Sequence, residues 1–144
     1  MKYSHQIEIS LPREKVIELF DNPDNLKHWQ PGLISFEHIS GDQGRPGAKM
    51  LLNYKMGKRE IKMIETILIR KLPDEFTGTY EAKGVWNRVK NTFTEPSDGT
   101  TIWVSENEFK FKGFMKLMAA LMPGTFKKQS YKYLEYFKEF AENH

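Results

Sequence analysis

The sequence contains no cysteine, which removes disulfides, thiolate nucleophiles and thiolate-bound zinc or iron–sulfur centres together. A reducing, cytoplasmic setting is the matching expectation. Long apolar runs are also missing. The greasiest stretch, Phe114–Met122, is interrupted by Lys116 and is too short to span a bilayer, so no stable membrane insertion is expected. Met1–Gln6 has no apolar segment behind Lys2, and no secretory signal is legible. No excess of one charge dominates either: 22 Lys and Arg stand against 19 Asp and Glu, a net +3. Lys127, Lys128 and Lys132 form the one local cluster. Without a basic stripe or a recognition module, nucleic-acid binding is not expected. His5, His28, His38 and His144 share no short ligand spacing, so neither a metal nor a cofactor is expected. No Gly-x-Ser-x-Gly elbow occurs, and the common acyl-transfer nucleophiles are absent with it.

What is present is bulk. At 144 residues, with 39% hydrophobic and 28% charged residues, the chain has the length and composition of one folded domain, residues 1–144. Aromatic residues make up 13%, with 10 Phe, 6 Tyr and 3 Trp. Such side chains build cores and also line ligand cavities.

Tyr3–Leu11 alternates apolar and polar residues and is predicted to be a strand. Ser10-Leu11-Pro12 then opens a helix whose apolar stripe is Val16, Ile17, Leu19 and Phe20, stopped by Asp21-Asn22-Pro23. A second short helix fits Asp24–Trp29, bounded by Pro23 and Pro31. From Leu33 to Phe111 six strands are predicted, near 33–40, 48–55, 60–72, 76–82, 87–94 and 101–111. Between them lie turn residues such as Met56-Gly57-Lys58, Lys83-Gly84 and Pro96-Ser97-Asp98-Gly99. Short consecutive turns imply an antiparallel meander. Gly113–Asn143 returns to helical spacing, with a break at Pro123-Gly124.

The order of strand, two short helices, six strands and a long helix is an α+β arrangement of about seven strands. A bent sheet of this kind needs a cover for its concave face, and the long amphipathic helix supplies one. The layout resembles the START-like superfamily, the polyketide cyclase/dehydrase and lipid-transport group that includes the birch-pollen-allergen fold. The resemblance runs over essentially the whole chain. It is carried by Ile7-Glu8-Ile9, Pro12 with Val16 and Phe20, Trp29-Gln30-Pro31-Gly32, the Gly41–Gly47 loop, Glu65-Thr66-Ile67 before Pro73, and Asp98-Gly99-Thr100. It implies a helix-grip fold, a curved antiparallel sheet wrapped around the C-terminal helix, with a hydrophobic cavity between them. It leaves the activity open, because relatives include carriers, cyclases, hydrolases and a chaperone-assisting branch.

Binding, transport or sequestration of a small hydrophobic molecule, by a monomer or homodimer, is accordingly the leading expectation. Trp29, Phe36, Met63, Tyr80, Trp103 and Phe137 are candidates for the cavity wall, as are Met118, Met122 and Phe126; Glu65, Asn91 and Tyr133 are candidates to orient the guest. The alternative is a cofactor-independent cyclase, dehydratase or hydrolase working through a carboxylate or tyrosine on a polyketide-like or aromatic substrate. A chaperone-activator-like interaction domain is the third.

The catalytic candidate is Glu65. Flanked by Met63 and Ile67 on one strand face, it would have its pKa raised by desolvation and could act as a general acid or base if that face points inward. The more ordinary arrangement points the face to water and pairs Glu65 with a Lys or Arg of the next strand. On the last strand Trp103, Ser105, Asn107 and Phe109 share one face, with Glu106 and Glu108 on the other; either set fits the cavity side, and a shift of one residue exchanges them. Met115, Met118 and Met122 fit either core packing or an adaptable gate hinged at Pro123-Gly124. The Gly41-x-x-Gly44-x-x-Gly47 loop lacks the Lys-Ser/Thr of a phosphate cradle and leads into a strand, so a hairpin loop at the cavity rim is expected.

Overall fold

The computed structural model describes all 144 residues, Met1 to His144. The first strand, β1 (Lys2–Ile9), turns Tyr3, His5, Ile7 and Ile9 inward, as its alternation predicts. Helix α1 (Arg13–Phe20) follows and buries Val16 and Leu19. Its N-cap is Pro12, with extended dihedrals and no side-chain capping bond. Ser10 is therefore free of a capping role, and its backbone N–H donates instead to Glu142 Oε2 at 2.7 Å. The second expected helix is shorter than its sequence window. Pro23–Asn25 is a 3-10 turn, its first N–H groups partly satisfied by the Asn22 side chain, and only Leu26–Trp29 (α2) is α-helical.

Six further strands then run in series: β2 (Leu33–Ser40), β3 (Lys49–Met56), β4 (Arg59–Lys71), β5 (Glu75–Ala82), β6 (Val85–Ser97) and β7 (Thr100–Phe111). All neighbours are antiparallel, and the sheet order is β1-β7-β6-β5-β4-β3-β2. Glycines allow its tight points. Gly32, with φ +91°, lets the chain entering β2 touch β3; a Cβ there would sit 2.7 Å from the Lys55 carbonyl oxygen. The sheet is followed by α3 (Phe114–Leu121) and α4 (Pro123–Glu142), separated at Met122-Pro123 as the sequence break predicts. No helix is long and apolar enough to cross a membrane.

The main core lies at one end of the concave face. Ile9, Val16, Leu19, Trp29, Phe93, Trp103, Leu134, Phe137 and Ala141 pack there as one buried cluster. Phe20, at the end of α1, is its hub, with ring centroids 5.1–5.9 Å from Trp29, Phe76, Phe93, Trp103 and Phe137. Each such aromatic pair adds about 0.5–1.5 kcal/mol beyond area burial. Arg70 of β4 pairs with both carboxylate oxygens of Asp21, at 2.5 and 2.6 Å, and ties the end of α1 to the sheet. The C-terminal end of α4 is fastened to the end of β1 by Glu142, which binds the Ser10 N–H and Lys138. These contacts hold a lower carboxyl pKa at Glu142.

Candidate functional site

Cross-strand register decides which side chains face α4. Met50, Glu65, Tyr80, Asn87 and Phe109 stand side by side across β3 to β7. Phe109 stacks on Tyr3 at 5.9 Å and meets Phe126 of α4 at 5.4 Å, so this row faces the helix. Directly opposed residues share a face. Glu65 and Tyr80 therefore point toward α4, and the water-facing arrangement expected for Glu65 is corrected. The same register settles β7: Thr101, Trp103, Ser105, Asn107 and Phe109 are buried, and Glu106 is exposed. The aromatic face is the inner one.

Across the sheet α4 is asymmetrically placed. Its backbone approaches β1, α2 and α3 closely and makes no comparable approach to β3, β4 or β5. The aromatic core lies on the β1–β7 side, and a second buried group, Ala48, Ile67 and Phe76, packs against Phe20 and Leu72 on the β3–β5 side. Glu65 of β4 and Tyr80 of β5 stand opposite each other on that side. Each keeps some accessible surface, yet desolvation is the largest influence on both ionisations.

Four polar side chains converge there. Burial pushes the Glu65 carboxyl above its usual range, and a hydrogen bond from Tyr80 offsets part of the rise. Tyr80 is pushed well up by burial and then by the Glu65 charge. Tyr54 is raised by burial and by the proximity of Tyr133 and Glu65, and its hydroxyl donates to Gln30 Oε1 at 2.5 Å. Tyr133, on the inner side of α4, is raised mainly by burial. At neutral pH the three phenols are protonated. Together with Glu65 they can donate and accept hydrogen bonds, and Glu65 can exchange a proton.

The other sequence candidates divide by place. Met63 stands opposite Leu52 on the concave side of β4, and Phe36 stands opposite Leu52 on the edge strand, partly exposed at the rim. Phe126 packs against Phe109 and Phe111, where its carbonyl accepts the Tyr3 hydroxyl. Trp29, Trp103 and Phe137 lie in the solid aromatic core, not beside Glu65. Both ends of the Asn91 amide are engaged within the core: its Oδ1 accepts from Trp103 Nε1 at 2.9 Å and its Nδ2 donates to the Phe76 carbonyl. The indole N–H of Trp29, by contrast, is buried without a partner. Met118 is half-buried, whereas Met122 faces outward at the α3–α4 junction. Sequence reasoning missed Tyr54. The period-two face Met50, Leu52, Tyr54, matched against Ile61, Met63 and Glu65, is the signal that locates it.

Among the described side chains no group of three His, Asp or Glu residues converges as a metal site requires. No protein-family model matches the sequence, and no curated protein matches it.

The backbone does match solved structures over nearly its full length. Ara h 8.0201 is 13% identical with a TM-score of 0.76, covering 100% of this chain and 99% of that one. The Zhui aromatase/cyclase from Streptomyces sp. R1128 is 11% identical with a TM-score of 0.82, covering 99% and 93%. Norcoclaurine synthase from Thalictrum flavum, in complex with dopamine and hydroxybenzaldehyde, is 16% identical with a TM-score of 0.70, covering 100% and 87%. Identities this low establish the fold alone. That fold is the helix-grip, START-like fold, with seven antiparallel strands around a long C-terminal helix.

Proposed function

We propose that the protein binds a small, largely apolar molecule bearing a hydroxyl or carbonyl group, held between α4 and the β3–β5 half of the sheet. Transport or sequestration is the use that fits. The observation that supports this reading is the Glu65–Tyr80 pair, a carboxyl and a phenol facing each other on a wall otherwise formed by Met63, Leu52 and aromatic rings. A guest burying about 300 Å² of apolar surface would gain about 7 kcal/mol before ordering costs. Its polar group would then find hydrogen-bonding partners in the Tyr80 hydroxyl and the Glu65 carboxyl, which an entirely apolar pocket does not offer.

Naphthol and naphthalene test the reading, because they differ only in the hydroxyl. Saturable quenching or enhancement of probe fluorescence is expected for both, with naphthol binding about tenfold more tightly. The advantage should vanish in Glu65→Leu. Filling the hollow with Met63→Trp should abolish binding of both probes. Absence of saturable binding, or binding indifferent to Met63→Trp, overturns the proposal.

The raised pKa of Glu65 favours a second reading, a cofactor-independent cyclase, dehydratase or hydrolase in which Glu65 moves a proton on a bound aromatic or polyketide-like substrate. Glu65→Gln separates the two. A carrier keeps its affinity, and an enzyme of this kind loses turnover while still binding.

A further inference from the structure

Positive charge is not spread evenly along the chain. Residues 109–134 contain six lysines and no acid, whereas the other 118 residues carry 16 basic and 19 acidic side chains. The whole net positive charge therefore resides in the segment that includes α3 and the first half of α4.

The same segment holds the most exposed apolar surface of the protein. Phe114 is 68% exposed, Leu117 55%, Leu121 69% and Met122 49%. Positions 114, 117 and 121 fall on one face of α3, while Ala119 is buried on the other. Large apolar residues scattered singly on a surface are ordinary, but a contiguous helical face of them marks a docking surface. Lys112 and Lys116 border this face in sequence. Immediately beyond it, Gly124 opens a groove of about 410 Å³ formed by Lys127, Lys128, Lys132, His5 and Tyr131, with Glu135 as its one acid. Only Met122 and Pro123 separate Leu121 from Gly124, three steps of chain or at most about 11 Å.

We infer that this surface docks onto an anionic phospholipid bilayer. The α3 face seats at the boundary between headgroups and acyl chains, and the lysine groove of α4 takes the headgroup phosphates. Only a bilayer of this composition presents an apolar layer directly beneath a negative one, which is the complement of an apolar stripe bordered by lysines. Lysine stems add to the fit, since they lie along apolar surface while their ammonium groups reach the phosphates. A second copy of the chain is the poorer occupant, because it would bring a second uncompensated lysine cluster against the first. The inference is independent of what the hollow holds.

Flotation with vesicles of phosphatidylcholine, alone or with roughly one-third phosphatidylserine, tests it. Binding is expected only to the serine-containing vesicles and is expected to weaken as salt is raised. Leu117→Glu/Leu121→Glu should weaken binding at least about tenfold, and Lys127→Glu/Lys128→Glu should remove the preference for phosphatidylserine. All four side chains are exposed, so an unchanged far-ultraviolet circular dichroism spectrum and melting temperature are expected. No binding to anionic vesicles at low salt overturns the inference, as does binding that survives Leu117→Glu/Leu121→Glu. A wild-type dimer in light scattering that those two substitutions dissociate also overturns it, since the face would then be a self-interface.

Discussion

The Glu65 carboxyl and the Tyr80 hydroxyl face each other across the β4–β5 ladder, and each alters the other's ionisation. The phenol stabilises the carboxylate, and the carboxylate makes the phenol harder to ionise. Neither influence is as large as burial, which holds both groups toward their neutral forms.

That arrangement makes stability depend on pH in a defined direction. Because the folded pKa of Glu65 lies above the ordinary value of 4.5, folding favours the protonated acid. The associated stability is fully present below the unfolded pKa and is lost as pH rises through the folded one. Glu65→Gln, which stays neutral, should show a smaller loss between acid and neutral pH. Urea denaturation of both proteins across that range would show the two curves converging at low pH; parallel curves would remove Glu65 as a titrating group.

Asn91 and Trp103 form a buried pair whose value a double-mutant cycle can isolate. Asn91→Ala strands the Trp103 indole N–H and the Phe76 carbonyl, and a loss of about 1–3 kcal/mol is expected on top of the lost packing. Trp103→Phe removes the donor. In that background the cost of Asn91→Ala should fall by about 1 kcal/mol or more, because one stranded group no longer exists. Equal costs in both backgrounds would show that the hydrogen bond adds nothing measurable.

Gly84 sets how closely α3 can approach the sheet. Its φ is +77°, and an added Cβ would stand 3.0 Å from Met115 Cγ and 3.1 Å from the Lys112 carbonyl oxygen. Gly84→Ala should therefore cost about 1–2 kcal/mol, from backbone strain and from displacement of Met115. Hydrogen exchange should quicken in residues 113–121 more than in β1 or β7. Uniform acceleration across the chain would mean that α3 is not locally held by this contact.

Much of the architecture was legible because turn residues and apolar periodicity agreed. Met56-Gly57-Lys58, Lys83-Gly84 and Pro96–Gly99 each separated two strands, and Pro123-Gly124 placed the break in the helical region. Strand faces were less legible. On β7 both parities carry apolar residues, so only tertiary pairing, which sets Trp103 beside Ile7 and Phe109 beside Asn87, selects the inner one. The orientation of Glu65 stayed open, with water the more ordinary side, for a related reason: an acid on a strand is ordinarily solvated, and nothing local announces that Tyr80 will oppose it. Helix α3 was the hardest case. Its sequence FMKLMAAL is apolar nearly all round, so spacing alone does not select a buried face, and the structure turns Phe114, Leu117 and Leu121 outward. Tyr54 escaped notice because one tyrosine in an apolar strand gives no sign of the company it keeps in space.

Sheet order also bears on how the molecule is made. β1 hydrogen-bonds along its length only to β7, from Lys2 opposite Glu108 to Ile9 opposite Thr101. A ribosome producing about 5–20 residues per second therefore releases this strand well before its partner exists. During that interval Tyr3, Ile7 and Ile9 have no ladder to join, and the nascent chain must keep them from pairing wrongly. Completion of the sheet is thus a late event in synthesis, set by the emergence of β7 and not by the rate at which the earlier hairpins close.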